Sequence, residues 1–203
     1  MNRIFIMAFA LLLAGCVLTQ DEVAQARGYM DELVVQLQDC DTHMHQQDWA
    51  GARASTAAAN ETLSKLDGLV ATAESRGEDQ QKIARLRAAS GLMHSLFSYS
   101  SELTDYYITV EQMRDRLDTI DWLSENITQL RSELTALKAR GDVIRPDADR
   151  FLATADEYKR NYPDDAGRLR HWDETITNVQ QSKASIDEIQ AKVQYVIDRM
   201  PAG

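Results

Sequence analysis

Residue types that bind soft metals are concentrated at one place in the chain. Between positions 40 and 45 stand a thiol, a thioether and two imidazoles, on Cys40, His43, Met44 and His45. Soft transition metals prefer such ligands. On a helix Cys40 and Met44 would share a face, whereas His43 and His45 would point about 200° apart and could not converge on one ion. We therefore expect no metal and no cofactor, and keep these four residues only as weak candidates.

The motifs of common enzyme and cofactor classes are absent from the sequence. No histidine follows a glutamate by three positions, the pattern of paired metal sites in four-helix bundles. Haem-attachment, nucleophile-elbow and phosphate-loop motifs do not occur. His94 and His171 flank apolar positions and are expected on helix surfaces. Asn60 and Asn126 begin glycosylation triplets, which we interpret as chance matches because both fall on predicted helices. We expect a protein that is not an enzyme.

The amino terminus has the features of an export signal. Arg3 precedes an apolar run, Ile4 to Leu13, which is too short to span a membrane. The run ends in Leu13-Ala14-Gly15-Cys16, which resembles the lipobox of prokaryotic lipoproteins. The resemblance implies that residues 1–15 are a signal peptide and that Cys16 is lipidated, with residues 16–20 serving as attachment point and short linker.

The same resemblance implies a location. A lipidated chain would be held at a membrane by its acyl groups and would face outside the cytoplasm, in the cell envelope. Val17 follows the cysteine, whereas aspartate at that position often retains lipoproteins at the inner membrane. We therefore expect the outer membrane if the organism has one.

Composition predicts the fold class and excludes some partners. The chain has 32 acidic and 22 basic residues, a net charge of −10, which opposes binding to nucleic acid and to anionic membrane surfaces. If Cys16 carries lipid, Cys40 has no partner for an intramolecular disulfide. Nine glycines and three prolines in 203 residues leave few residues for strand turns. The fold class is predicted to be all-α, in one domain over residues 21–200.

Apolar residues spaced three and four apart predict a short helical hairpin, with helices at 21–46 and 48–75. Asp48 is the predicted N-cap of the second helix. Matching the two apolar stripes in antiparallel order places Cys40 opposite Thr56, inside the hairpin.

The remaining stripes predict a long hairpin. Its outgoing helix spans 78–139, either unbroken or broken near 118–121, and a turn follows at Gly141 to Pro146. The return arm consists of helices at 147–161 and 164–199, separated by a break at Pro163. Matching the stripes places Leu134 opposite Ala155 in this hairpin.

The predicted architecture is a coiled-coil-like antiparallel bundle in which the short hairpin packs against the long one. The turn at 139–149 would lie furthest from the membrane, and its charged residues are the predicted contacts of a protein partner: Arg140, Asp142, Arg145 and Asp147. These predictions indicate a lipid-anchored, non-enzymatic interaction or scaffold protein. The alternative is an extracytoplasmic protein that binds a ligand or a metal.

Overall fold

The computed structural model describes residues 19–77, 80–120, 126–163 and 170–200. These ranges contain five helices and no strand, which confirms the all-α prediction. The helices are α1 (Gln20–His45), α2 (Trp49–Ser75), α3 (Gln80–Thr119), α4 (Ile127–Asn161) and α5 (Arg170–Arg199). No helix within the described ranges combines the length and the hydropathy needed to cross a membrane.

Each helix packs against the next one in the chain, and buried residues from all five form one hydrophobic core. The first residues of α1 meet the end of α2, where Arg76 pairs with Glu22 at 2.7 Å. At the opposite end of the bundle, Arg131 near the start of α4 donates to the carbonyl of Met200, directly after α5. We call the first of these the amino-terminal end of the bundle and the second the far end.

The short hairpin has the predicted register, and each helix bound lies within one residue of its prediction. Asp48 caps α2 by accepting a hydrogen bond from the backbone N–H of Gly51 at 3.1 Å. The sulfur of Cys40 lies 3.5 Å from the hydroxyl oxygen of Thr56, so the prediction that these residues face each other is confirmed. The apolar stripes predicted both helices correctly because Asp48, the N-cap of α2, marks the boundary between them.

The predicted turn at Gly141 to Pro146 is wrong, because α4 runs through it without interruption and contains Pro146. An internal proline costs a helix about 3 kcal/mol. The cost is offset because Ile144, Ala148 and Phe151 continue the buried stripe of α4 across that stretch. Burying one large apolar side chain contributes roughly 1.5–3 kcal/mol, so two of them outweigh the proline.

The chain reverses earlier than predicted, between α3 and α4. The unbroken helix at 78–139 is wrong, and the break near 118–121 is confirmed, because α3 ends at Thr119. Asn126 then caps α4 through a hydrogen bond from the backbone N–H of Gln129 at 3.1 Å. This reversal changes the pairing of the long hairpin, since Leu134 and Ala155, predicted to face each other, both lie on α4.

The second predicted break is confirmed at its start. The helix α4 ends at Asn161, directly before Tyr162 and Pro163. The next helix was expected from 164, but residues 164–169 lie outside the described ranges and α5 begins at Arg170. The ion pairs Arg145–Asp187 (2.9 Å) and Lys159–Asp173 (3.0 Å) fix the antiparallel register of α4 and α5.

Unequal helix lengths create a projection at the far end. The helix α3 has 40 residues and α2 has 27. Arg53, the fifth residue of α2, pairs with Asp105, so α2 begins at about the level of Thr109. The last ten or so residues of α3 therefore extend about 15 Å beyond the start of α2. Together with the first third of α4 and the end of α5, they form what we call the three-helix tip: α3 110–119, α4 127–139 and α5 193–199.

Candidate functional site

The four predicted partner contacts lie in the middle of α4, not at a distal turn. Arg140 pairs with Asp105 at 3.5 Å, and Arg145 pairs with Asp187. Asp147 pairs with Arg150 one turn further along α4. The prediction that residues 139–149 form the most distant part of the molecule is therefore wrong, because it depended on a turn that α4 does not make.

Asp142, the remaining one of the four, takes part in a half-buried polar contact between α4 and α5. The side-chain amide of Gln190, which is 7% exposed, donates to the carboxylate of Asp142 and to the carbonyl of Lys138, each at 2.9 Å. The contact requires a glycine at 141, because a Cβ there would lie 2.6 Å from the Gln190 amide nitrogen. Gln190 on α5 is thus hydrogen-bonded to two residues of α4, and Gly141 leaves the space for its side chain.

A pair of carboxyl groups lies between α3 and α4. Glu102 on α3 lies close enough to Asp147 on α4 for the Asp147 carboxylate to affect its ionisation. Burial and the neighbouring Asp147 carboxylate raise the pKa of Glu102, while Arg140 and Arg150 act in the opposite direction. Deprotonation of Glu102 would therefore place a second negative charge beside Asp147, at the contact between α3 and α4.

A buried tyrosine near this pair has no hydrogen-bond partner among the described residues. Tyr106 is 0% exposed and its hydroxyl is unpaired, whereas the hydroxyl of Tyr99 lies 2.8 Å from that of Ser182. Burial, with smaller effects of Tyr107 and Asp142, raises the pKa of Tyr106 to about 12. The phenol therefore stays neutral at physiological pH.

The two metal-binding candidates whose side chains are described, Cys40 and His43, have separate partners. Cys40 is a free, half-buried cysteine that contacts Thr56, whereas the Nδ1 atom of His43 lies 2.8 Å from the carboxylate of Asp48 in the turn. The side chains of Met44 and His45 are not among the described ones. Across the described part of the chain, no group of three or more histidine, cysteine, aspartate or glutamate residues could hold a metal ion.

Serine, histidine and aspartate do meet between α2 and α3, a cluster that the sequence reasoning missed. The carboxylate of Asp67 accepts a hydrogen bond from Ser90, and its other oxygen lies 2.6 Å from the Nε2 atom of His94. In a catalytic triad the histidine contacts the serine and activates it. Here the aspartate holds both, and Ser90 is 3% exposed, so the cluster joins the two helices and is not a nucleophilic site.

A groove opens between α3 and α4 at the base of the three-helix tip, with a volume of about 450 Å³. The lining residues come in equal number from the two helices: Thr109, Gln112, Met113 and Arg116 from α3, and Glu133, Ala136, Leu137 and Arg140 from α4. The apolar stripes of the sequence could not reveal the groove, because it exists only where α3 and α4 continue beyond Trp49, the first residue of α2.

The predicted lipidation site, Cys16, lies outside the described residues, which begin at Thr19. The first helix starts with a capping box. The side chain of Thr19 accepts from the backbone N–H of Glu22, and Glu22 accepts from the backbone N–H of Thr19 at 2.8 Å. Arg76 and the Thr19 backbone lower the pKa of Glu22 to about 2, so its carboxylate stays ionised.

Comparison with protein-family models, with curated proteins and with solved structures finds no match for this chain.

Proposed function

We propose that the chain is a lipoprotein anchored through Cys16, which holds a five-helix bundle outside the cytoplasm as a non-enzymatic interaction module. The observation that carries this proposal is the lipobox-like stretch Leu13 to Cys16, followed almost at once by the capping box at Thr19. Three residues span at most about 10 Å. The amino-terminal end of the bundle would therefore lie close to the lipid headgroups.

The anchor gives the bundle an orientation. Because α1 starts next to the anchor, the three-helix tip would point away from the membrane. The 40 residues of α3 correspond to a length of about 60 Å. A partner would reach the tip more easily than it would reach the amino-terminal end.

The distribution of polar groups supports an interaction role over catalysis. The clusters that contain typical catalytic residue types are used within the bundle: Asp67 holds Ser90 and His94, and Asp142 holds Gln190. A net charge of −10 disfavours nucleic acid as the partner, so we propose a protein.

The anchoring is tested by cell fractionation of two matched serine variants. Cys16→Ser should remain an uncleaved precursor without acyl chains. Cys40→Ser makes the same chemical change at the other cysteine, keeps a hydroxyl contact to Thr56, and should behave like the wild type. Processed protein of Cys16→Ser, recovered in the same fraction as the wild type, would show that Cys16 is not the attachment point.

A further inference from the structure

The side of α3 that packs against α2 continues beyond Trp49, the first residue of α2. Four residues on this side contact α2: Arg87 pairs with Glu74, Ser90 and His94 contact Asp67, and Asp105 pairs with Arg53. Helical steps of three and four then lead from Asp105 to Thr109, Gln112 and Arg116. These three residues line the groove, so the groove continues the surface on which α2 lies.

The groove has an apolar floor and a guanidinium group near each end. Met113 and Leu137 are buried, and Ala136 lies beside them. Arg116 and Arg140 stand about seven residues, or roughly 10 Å, apart along the helix pair. Each is paired with a carboxylate at the surface, Arg116 with Glu133 and Arg140 with Asp105.

Part of each guanidinium group remains accessible. The side chains of Arg116 and Arg140 are 34% and 42% exposed, and those of their partners Glu133 and Asp105 are 35% and 33% exposed. A carboxylate from another molecule could therefore bind the accessible part of either guanidinium.

The way in which α2 packs indicates what fits the groove. Its core-facing side is small in the part next to the groove, where Ala52, Thr56 and Ala59 are buried, and larger further away, at Leu63, Leu66 and Val70. A helix with small side chains on one face could lie on the continuation of the same surface, end to end with α2. Docking of an amphipathic helix into a groove is a common mode of recognition.

We propose that this groove binds a helical segment of a partner protein, with small apolar residues on its inner face and carboxylates positioned for Arg116 and Arg140. The inference rests on the proposed function, because it supplies the contact through which the anchored bundle would act. The expected partner is a helix with acidic residues about two turns apart.

A designed peptide tests the chemistry of the groove. The probe is a helical peptide of about 16 residues with alanines spaced three and four apart and two glutamates seven positions apart. The comparison peptide has lysines in place of the glutamates. The full chain should bind the glutamate peptide at least about tenfold more tightly, a difference of about 1.4 kcal/mol. Equal affinities, or no binding of either peptide, would overturn the proposal.

Three variants locate the binding. Gln112→Trp fills the groove from an exposed position and should abolish binding of the glutamate peptide. Gln181→Trp makes the same change at an exposed position on α5 and should bind like the wild type. Arg116→Glu should weaken the glutamate peptide and strengthen the lysine peptide, which gives a second test if Gln112→Trp does not fold. An unchanged affinity of the glutamate peptide for Arg116→Glu contradicts the assignment.

Crosslinking in cells tests whether a protein occupies the groove. A photo-crosslinking residue at position 112 of the full chain should form an adduct with another protein, through an acidic helical segment identified by mass spectrometry. The same residue at position 181 should not. Adducts only between copies of this chain, or equal adducts at both positions, would overturn the proposal.

Fractionation of the same cells separates this inference from the anchoring. A membrane-anchored chain without an adduct specific to position 112 refutes the groove and leaves the anchor standing. A chain outside the membrane fraction that still binds the glutamate peptide through the groove refutes the anchor alone.

Discussion

Replacing Gly141 by alanine should destabilise the bundle, although alanine is the better helix former by about 1 kcal/mol. The new Cβ would lie 2.6 Å from the Nε2 atom of Gln190 and 3.1 Å from its Cδ atom. Gln190 would have to move and would lose its hydrogen bonds to Lys138 and Asp142. A neutral bond contributes about 0.5–1.5 kcal/mol and one to a charged group about 1.5–3. After subtraction of the propensity gain, the expected net loss is about 1–3 kcal/mol.

Urea denaturation followed by circular dichroism measures this loss, and a second background tests its cause. If Gln190 is first changed to alanine, the obstacle is gone, and Gly141→Ala should then stabilise the chain by up to about 1 kcal/mol. Gly91→Ala is the matched control, because nothing lies within 4 Å of its added Cβ on α3, and it should also stabilise. The reasoning fails if Gly141→Ala stabilises the wild type as Gly91→Ala does.

Three further predictions concern buried or paired groups. Tyr106→Phe removes an unpaired buried hydroxyl and should raise the free energy of unfolding by up to about 3 kcal/mol; a loss of stability would show that the hydroxyl has a partner. Because burial and the Asp147 carboxylate raise the pKa of Glu102 above 4.5, the folded chain binds this proton more tightly than the unfolded chain, and stability is lost as the pH rises from 4.5 through the raised pKa. Glu102→Gln should therefore make the unfolding free energy less dependent on pH above 4.5 in denaturation series, and an unchanged slope would contradict the raised pKa. Cys40 should react slowly with a thiol reagent in the folded chain because it packs against Thr56, whereas labelling as fast as in urea would contradict that placement.

The short hairpin could be derived from the sequence because its boundary is marked locally. Asp48 has the residue type and position of an N-cap, and the stripes on either side of it end there. The contact of Cys40 with Thr56 then follows from helix geometry alone. Where local signals and the apolar stripes agreed, the predicted register was right and the helix bounds were right to within one residue.

The long hairpin was wrong because local signals and packing disagreed. Gly141 and Pro146 are turn-forming residues, yet Gly141 gives Gln190 room to approach and Pro146 is exposed on α4. The real reversal had a weaker signal, Asn126 as an N-cap, which was interpreted as a chance glycosylation triplet. Near-heptad stripes can be matched in several registers, so the pairing of Leu134 with Ala155 had little power to exclude other topologies.

The groove and the polar contacts between helices could not be predicted from the sequence. The groove depends on α3 being longer than α2, and the Glu102–Asp147 pair depends on the register of α3 against α4. Both are tertiary properties. A correct position for Asn126 as the start of α4 would have been needed before either could be derived.

The anchor is tested most directly by the mass of the amino-terminal peptide of the protein purified from its own membranes. We expect a peptide that begins at Cys16, carries the added mass of acyl chains, and lacks residues 1–15. A peptide that begins elsewhere, or one that begins at Cys16 with a free thiol and a free amino group, would contradict the lipid anchor and with it the proposed orientation of the bundle.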